Sequence, residues 1–339
     1  MKILLIGGTG TISLAVTKKL VAMGEEVFLL NRGSYQTQSL QGVTLLQADV
    51  NGEESRIEEL LKGHTFDVVA DFIAYRREQV ERDYRLFGNR TGQFVFVSSA
   101  SAYHKPAADY LINEGTSLAN PYWEYSRNKI ACEEYLMERY RKEGFPVTIV
   151  RPSHTYDERK IPVGIHGNKG SWQIAQRMLE GKPVIIHGDG TSLWTMTHSS
   201  DFANGFAGLL GNGKAIGEAV QITSDEVLTW NQIYQSLANA LGVPLKPYHV
   251  ASDFLAACSP YDHEGALLGD KANTVVFDNS KLKRLVPGFQ AVKRFEQGIR
   301  ESVAFYRKNP ALQVPDPEFD AWCDRVIQVM EEAKGRCAV

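Results

Sequence analysis

Lys2-Ile-Leu-Leu-Ile-Gly-Gly-Thr-Gly-Thr-Ile-Ser13 runs from an apolar strand through a glycine turn into the start of a helix. It meets G-x-G-x-x-G/A through Gly8, Gly10 and Ser13, and a GxxGxx(small) spacing through Gly7, Gly10 and Ser13. A pyrophosphate needs a tight turn, backbone without Cβ where the phosphates approach, and a small residue where helix packs on strand. A helix starting near Thr11 adds unpaired N–H groups and a positive dipole end. A lone glycine motif is weak, but this one has the strand before it and the helix after it. The stretch therefore predicts a dinucleotide site, with Gly7, Gly10, Thr11 and Ile12 as its contacts.

Downstream, short apolar runs alternate with amphipathic stretches. Ile3–Ile6, Val27–Leu30, Val43–Leu46, Val68–Phe72, Phe94–Val97 and Val147–Val150 fit buried strands by length, β-branched content and flanks. Ile12, Ala15, Val16, Leu20 and Met23 recur at helical spacing between them, as do Ile57, Leu60 and Leu61, and later Ile130, Tyr135, Leu136 and Met137. This alternation predicts an α/β chain with a doubly wound parallel sheet and right-handed crossovers. The pattern breaks after Pro152. Residues 156–170 read as a long loop leaving the sheet, followed by helices at Trp172–Leu179, Asp201–Leu210 and Trp230–Leu241 and a short strand at Val184–Ile186. The expected organisation is a dinucleotide domain over 1–155 and a smaller mixed α/β substrate lobe over 156–339, with parts of 195–225 returning to the first. In a last helix, roughly Glu318–Glu332, Phe319, Trp322, Cys323, Val326 and Met330 form one stripe. That stripe reads as core packing, with a homodimer interface as the alternative.

The 339 residues are 43% hydrophobic and 23% charged, enough to bury a core without disulfides or structural metal. A formal net charge of -3 gives no reason to invoke nucleic acid or an anionic membrane. Cys132, Cys258, Cys323 and Cys337 are scattered, without CxxC or metal-ligand spacing, and no secretory segment or membrane-length apolar run is seen. These features point to reduced thiols in a cytoplasmic protein.

The second strand ends at Leu30-Asn31-Arg32-Gly33-Ser34. An NAD-selective site would carry Asp or Glu here for the ribose hydroxyls. Asn31 has no charge to repel a 2′-phosphate, and Arg32 and Ser34 suit one. The cofactor is NAD or NADP, with NADP favoured. Asp49, after the third strand, is a candidate acceptor for the adenine amino group, or a loop-capping Asp.

Tyr125-Ser-Arg-Asn-Lys129 places Tyr and Lys on one helix face. An ammonium beside a phenol favours the phenolate and lowers a pKa that is ~10 unperturbed, making the tyrosine usable as acid or base. About one YxxxK is expected by chance in such a chain, so position matters more than the pair. The strand Phe94–Val97 precedes it and ends at Ser98-Ser-Ala-Ser-Ala-Tyr103, at the carboxyl edge of the predicted sheet.

The turn GGTGTIS, the strand end SSASAY, the pair YSRNK and Arg151-Pro-Ser-His-Thr-Tyr156 follow in an order that resembles the extended short-chain dehydrogenase/reductase superfamily, in its NAD-dependent epimerase/dehydratase group. The resemblance is clear over residues 1–157 and traceable to about 245. It implies a Rossmann fold and a Ser–Tyr–Lys triad of Ser99, Tyr125 and Lys129. Ser99 would orient the substrate oxygen, Tyr125 would carry the proton, and Lys129 would also bind the nicotinamide ribose as hydride moves. The implied function is an oxidoreductase or epimerase acting at a secondary alcohol or keto carbon of a small polar or sugar-like substrate. Some relatives in the wider family interact with RNA. A catalytically degenerate dinucleotide-binding protein in regulation or RNA interaction is therefore the alternative, and the charge balance speaks against it.

Departures from the family pattern narrow this. The Asp-Glu pair of the dehydratases is replaced by Ala100 and Ser101, so dehydration lacks its acid and base. In Gly188–Asp201, Trp194 stands where nucleotide-sugar enzymes carry a diphosphate-gripping arginine. That implies a substrate other than an ordinary UDP- or dTDP-sugar, unless Arg159, Lys160 or Lys169 takes the arginine's place. His154 replaces a usual Asn. Ser101, His154 and Trp194 are the candidate substrate contacts. His154, His166, His187 and His198 lack HxH or HxxxH spacing and an acidic partner, so no metal site is expected.

Overall fold

The computed structural model describes residues 1–33 and 40–338. Seven parallel strands form one sheet in the order Ala219–Ile222, Val147–Pro152, Thr91–Val97, Phe66–Asp71, Lys2–Ile6, Glu26–Asn31, Val43–Gln47. The apolar runs fit this position because both faces of a parallel sheet are covered by helices. Ile3, Leu4, Leu5 and Ile6 have no exposed surface, and each contributes roughly 1.5–3 kcal/mol by burial. Ile3 and Leu5 pack into the core under one layer of helices, Leu4 and Ile6 into the other. The order reverses beside Lys2–Ile6, so a crevice opens between its carboxyl end and that of Phe66–Asp71, where doubly wound sheets bind ligands.

Helix Ser199–Leu209 packs on helix Thr11–Ala22, and Ala219–Ile222 forms the sheet's outer strand beside Val147–Pro152. Helix Ser280–Leu285 also joins the sheet's core through Leu282, and most of the other elements after Tyr156 build a second core around Trp172, Trp230, Tyr234, Phe295 and Phe319. Two-stranded pairs knit it together, among them Val184–His187 with Pro247–Val250.

Three segments differ from the sequence reading. The helix Arg77–Phe87 is not among the expected elements: it buries Val80, Leu86 and Phe87, but the charged Arg82 and Asp83 share its inward face and interrupt the apolar pattern. Residues 157–170 are irregular but not a surface loop: Ile161, Val163 and Ile165 enter the second core. The last helix spans Pro317–Cys337; Phe319, Trp322, Cys323 and Val326 of its stripe pack into that core, and Met330 is half-buried outside it. None of the four cysteines is in a disulfide. Among the described residues no helix is long and apolar enough to cross a membrane.

Candidate active site

A cavity of about 520 Å3 lies in the crevice, walled by Gly7, Gly10, Thr11 and Ile12 of the turn, by Asn31, Arg32 and Asp49, and by Ile73, Val97 and Lys160. The turn divides its glycines by task. Gly7 and Gly10 face the cavity, whereas Gly8 is buried with φ +76°, and a Cβ there would lie 2.6 Å from Leu29 Cδ2. Ser13 is buried at the helix–strand contact and its Oγ accepts from Gly10 N at 2.8 Å. The helix begins at Thr11, so its free N–H groups point into the cavity end.

Asn31 is held by the backbone: Nδ2 donates to Gly7 O at 3.3 Å and Oδ1 accepts from Gly33 N at 2.9 Å. Arg32 is exposed at the rim. Asp49 Oδ1 accepts from Asn51 N at 3.0 Å, the loop-capping role, while the residue still borders the cavity. Ser34 falls outside the described residues.

A second cavity of about 380 Å3 adjoins the first, with Ser99, Ser101, Tyr125, His154 and Trp194 in its wall. Its position follows from local structure. Strand Thr91–Val97 stops at the sheet edge, and Ser99 Oγ accepts from Ser101 N at 3.2 Å to start a single 3-10 turn. Helix Glu124–Glu143 stands beside it, with Glu124 in its first turn, Arg141 and Lys142 in its last, and left-handed Gly144 closing it. Hydroxyls link the two: Ser126 Oγ donates to Ser101 Oγ at 2.8 Å, which lies 2.9 Å from Ser99 Oγ.

Lys129 sits one turn beyond Tyr125, is buried, and borders neither cavity. Its Nζ donates to Ala74 O and Val97 O, both at 2.7 Å, and lies 5.9 Å from the centre of the Tyr125 ring. Burial lowers its pKa to about 8, opposed chiefly by the Asp71 carboxylate. The expectation that Lys129 depresses the Tyr125 pKa is not met here. Burial holds the Tyr125 phenol above its ordinary value, and the Ser99 hydroxyl only partly offsets this. The physical reason is that the lysine's hydrogen bonds go to main-chain carbonyls.

His154 is pushed down to about 3 by burial, with Lys271 and Lys160 adding, so it lines the cavity as a neutral ring. Trp194 is buried and its ring centre lies 5.5 Å from that of Trp230. Of the three basic residues named as substitutes for the absent arginine, Arg159 is tied to Asp157 through Nε at 2.8 Å and Lys169 borders neither cavity. Lys160 borders both. Among the described residues no group of three or more His, Cys, Asp or Glu is placed to hold a metal.

Lys105, Asp270 and Lys271 also wall the second cavity, and the sequence reading missed them. They come from distant segments. Asn120 joins those segments, its Nδ2 donating to Ser101 O at 3.0 Å and Gly269 O at 2.7 Å. The available signal was the Gly265/Gly269 pair at i, i+4, which lets this segment lie against Trp123.

The model of the NAD dependent epimerase/dehydratase family matches residues 3–223. The chain is 26% identical over 300 residues to 2'-dehydrokanamycin reductase of Streptomyces kanamyceticus, covering 86% of this chain and 80% of that protein. It is 26% identical over 256 residues to the chloroplast stem-loop binding protein of 41 kDa b of Arabidopsis thaliana, covering 72% of this chain and 64% of that one. Its fold is similar to dTDP-glucose 4,6-dehydratase of Bacillus anthracis, solved with NAD, at a TM-score of 0.71 and 19% identity over 92% of this chain and 98% of that one.

Proposed function

The chain belongs to the NAD-dependent epimerase/dehydratase family, and on that footing we propose that it is an NAD(P)-dependent oxidoreductase or epimerase. It acts at a secondary alcohol or keto carbon of a small polar or sugar-like substrate. One observation carries the reading. Lys160 is a common wall of the two cavities, and Val97 and Ser99, two residues apart at one strand end, border the first and the second.

The first cavity suits a dinucleotide. Its glycine wall leaves room for a pyrophosphate beside the helix N-terminus, and its volume is in the ~300–1,000 Å3 range of small-molecule sites. Gly7, Gly10, Thr11 and Ile12 would hold the pyrophosphate, Asn31 and Arg32 the adenosine ribose, Asp49 the adenine and Lys129 the nicotinamide ribose. The uncharged Asn31 and the rim Arg32 support NADP over NAD. When bound, the nicotinamide accepts or supplies the hydride.

Ser99 then orients the substrate oxygen and Tyr125 moves its proton. In reduction the Tyr125 hydroxyl gives its proton to the carbonyl oxygen; in oxidation the phenolate takes the proton of the alcohol. The half-buried phenol, its pKa raised, is protonated at neutral pH, the form that reduction requires. Dehydration is left out of the proposal. Ala100 and Ser101 follow Ser99, and Asp270 is the one carboxyl residue among those walling the cavity, short of an acid–base pair.

The similarity to a stem-loop binding protein gives RNA association a specific footing, and the net charge of -3 weighs against it. Thermal shift with NAD and with NADP tests the main reading. Ligand at 100 times its Kd adds about 2.7 kcal/mol of stability, and stabilisation by neither dinucleotide overturns it. Salt-sensitive retention on RNA without a dinucleotide shift would favour the alternative.

A further inference from the structure

We propose that the second cavity recognises an anionic oxygen group carried by the substrate, a carboxylate or a phosphate, received by Lys105 and Lys271 with Asp270 setting the charge balance. The inference deepens the proposed function and rests on it, because the cavity is the one that holds Ser99 and Tyr125.

Lys105 carries the argument. It is 2% exposed and borders the cavity, yet its ammonium makes no hydrogen bond or ion pair with any described residue. The stem is buried and the residue borders the cavity, so an ammonium with no protein partner keeps its three donors for a ligand there. Burial lowers its pKa, and only the Asp270 carboxylate opposes this. The indole N–H of Trp194, in the same wall, also has no acceptor.

The segment bringing Asp270 and Lys271 is built for position. Glu264–Lys271 is wound as a π-helix, closed by Ala272 N donating to Leu267 O at 2.9 Å. Such widened turns are rare and cluster at functional sites. The Lys271 carbonyl is fixed by Trp230 Nε1 at 3.0 Å and lies 3.1 Å from His187 Nε2. A Cβ on Gly265 would lie 2.2 Å from Trp123 Cδ1, so this glycine is required for the close approach. Lys271 Nζ itself has only a long contact of 3.5 Å to Ala266 O, leaving donors for a ligand.

Charge counts in the same direction. Lys105, Lys160 and Lys271 face a single carboxylate, Asp270, and His154 is neutral. Three cations against one anion favour a substrate with negative charge. The cavity's 380 Å3 is near the small end for ligand sites, suited to one sugar-sized acid or sugar phosphate.

The test uses full-length protein saturated with whichever dinucleotide stabilises it, and thermal shift with glucuronate, glucose 6-phosphate, glucose and glucosamine at constant ionic strength. A shift with glucuronate identifies a carboxylate as the recognised group and a shift with glucose 6-phosphate a phosphate; either supports the proposal when glucose and glucosamine give none. Lys105→Met and Lys271→Met are expected to weaken that binding by about tenfold or more while the dinucleotide shift stays. Asp270→Asn is expected to strengthen it, an opposite sign that a merely structural role would not give. No shift with either anion, an equal shift with glucose or glucosamine, or unchanged anion binding in Lys105→Met overturns the proposal. If the dinucleotide shift itself is absent, the functional reading has failed instead, so the two failures are distinguishable.

Discussion

Lys129 stands one helical turn from Tyr125, with its ammonium 5.9 Å from the phenol ring centre, and gives its hydrogen bonds to Ala74 O and Val97 O rather than to the phenol. The two residues therefore fail differently when changed. Tyr125→Phe is expected to lower kcat by about 10²–10⁴ with stability nearly unchanged, because the half-buried hydroxyl acts on the substrate. Lys129→Met leaves two buried carbonyls without a donor and should cost roughly 1–3 kcal/mol for each. Urea melts and turnover of the two variants check this; an inactive Tyr125→Phe that also unfolds early would contradict it.

Gly8 and Gly10 separate fold from ligand in the same way. Gly8→Ala puts a methyl 2.6 Å from Leu29 Cδ2 at φ +76° and should destabilise the protein by more than 1 kcal/mol, roughly the scale of a strained backbone plus overpacking. Gly10 has φ -75°, which any residue adopts, and its Cβ would meet only Ser13 Oγ at 3.4 Å. Gly10→Ala should fold normally and lose dinucleotide affinity, since the methyl projects at the cavity wall. Melting curves with and without dinucleotide distinguish the two.

The cofactor preference rests on Asn31 and Arg32. Arg32→Ala is expected to weaken NADP binding by about tenfold, the scale of one charge-assisted contact, and to leave NAD binding little changed. Asn31→Asp introduces a negative charge where a 2′-phosphate would lie and should shift preference toward NAD. Comparative titrations with both dinucleotides check this; equal losses for NAD and NADP in Arg32→Ala would sink the assignment.

How much of this was legible in the sequence depended on whether the determinant was local. Ile3–Ile6 and Phe94–Val97 read correctly because a sheet covered on both faces demands unbroken apolar runs, and Gly7–Ser13 because turn, strand and helix adjoin in the chain. Ser99 and Tyr125 were placed by resemblance to the family, and both line the second cavity. The helix Arg77–Phe87 escaped because Arg82 and Asp83 are buried as a charged pair among Val80, Leu86 and Phe87, so its inward face does not read as apolar. Lys105, Asp270 and Lys271 escaped for a different reason. Asn120 reaches Gly269 across 149 residues, a meeting decided by how the second core packs and by no periodicity.

Two buried histidines of the second lobe are expected to make stability acid-sensitive. Burial lowers His187 and His263 to about 4, Lys271 adding to both, while their backbone contacts with Lys271 O and His166 O oppose it. Each folded-state value is below the ordinary 6.5, so below pH 6.5 the unfolded chain takes up protons that the native protein does not. The stability each confers is present above pH 6.5 and is lost as pH falls through about 4, at up to roughly 1.4 kcal/mol per pH unit and histidine. His187 shows why the proton is refused. Its Nδ1 is buried without a partner, and a Cβ on Gly164 would come within 2.5 Å of it, so a proton added there would be a buried donor lacking an acceptor. Melts from pH 4 to 8 should fall steeply below about 6, and His187→Gln should flatten the slope by about one proton. A variant whose slope matches the parent would show that His187 takes up its proton in the folded state.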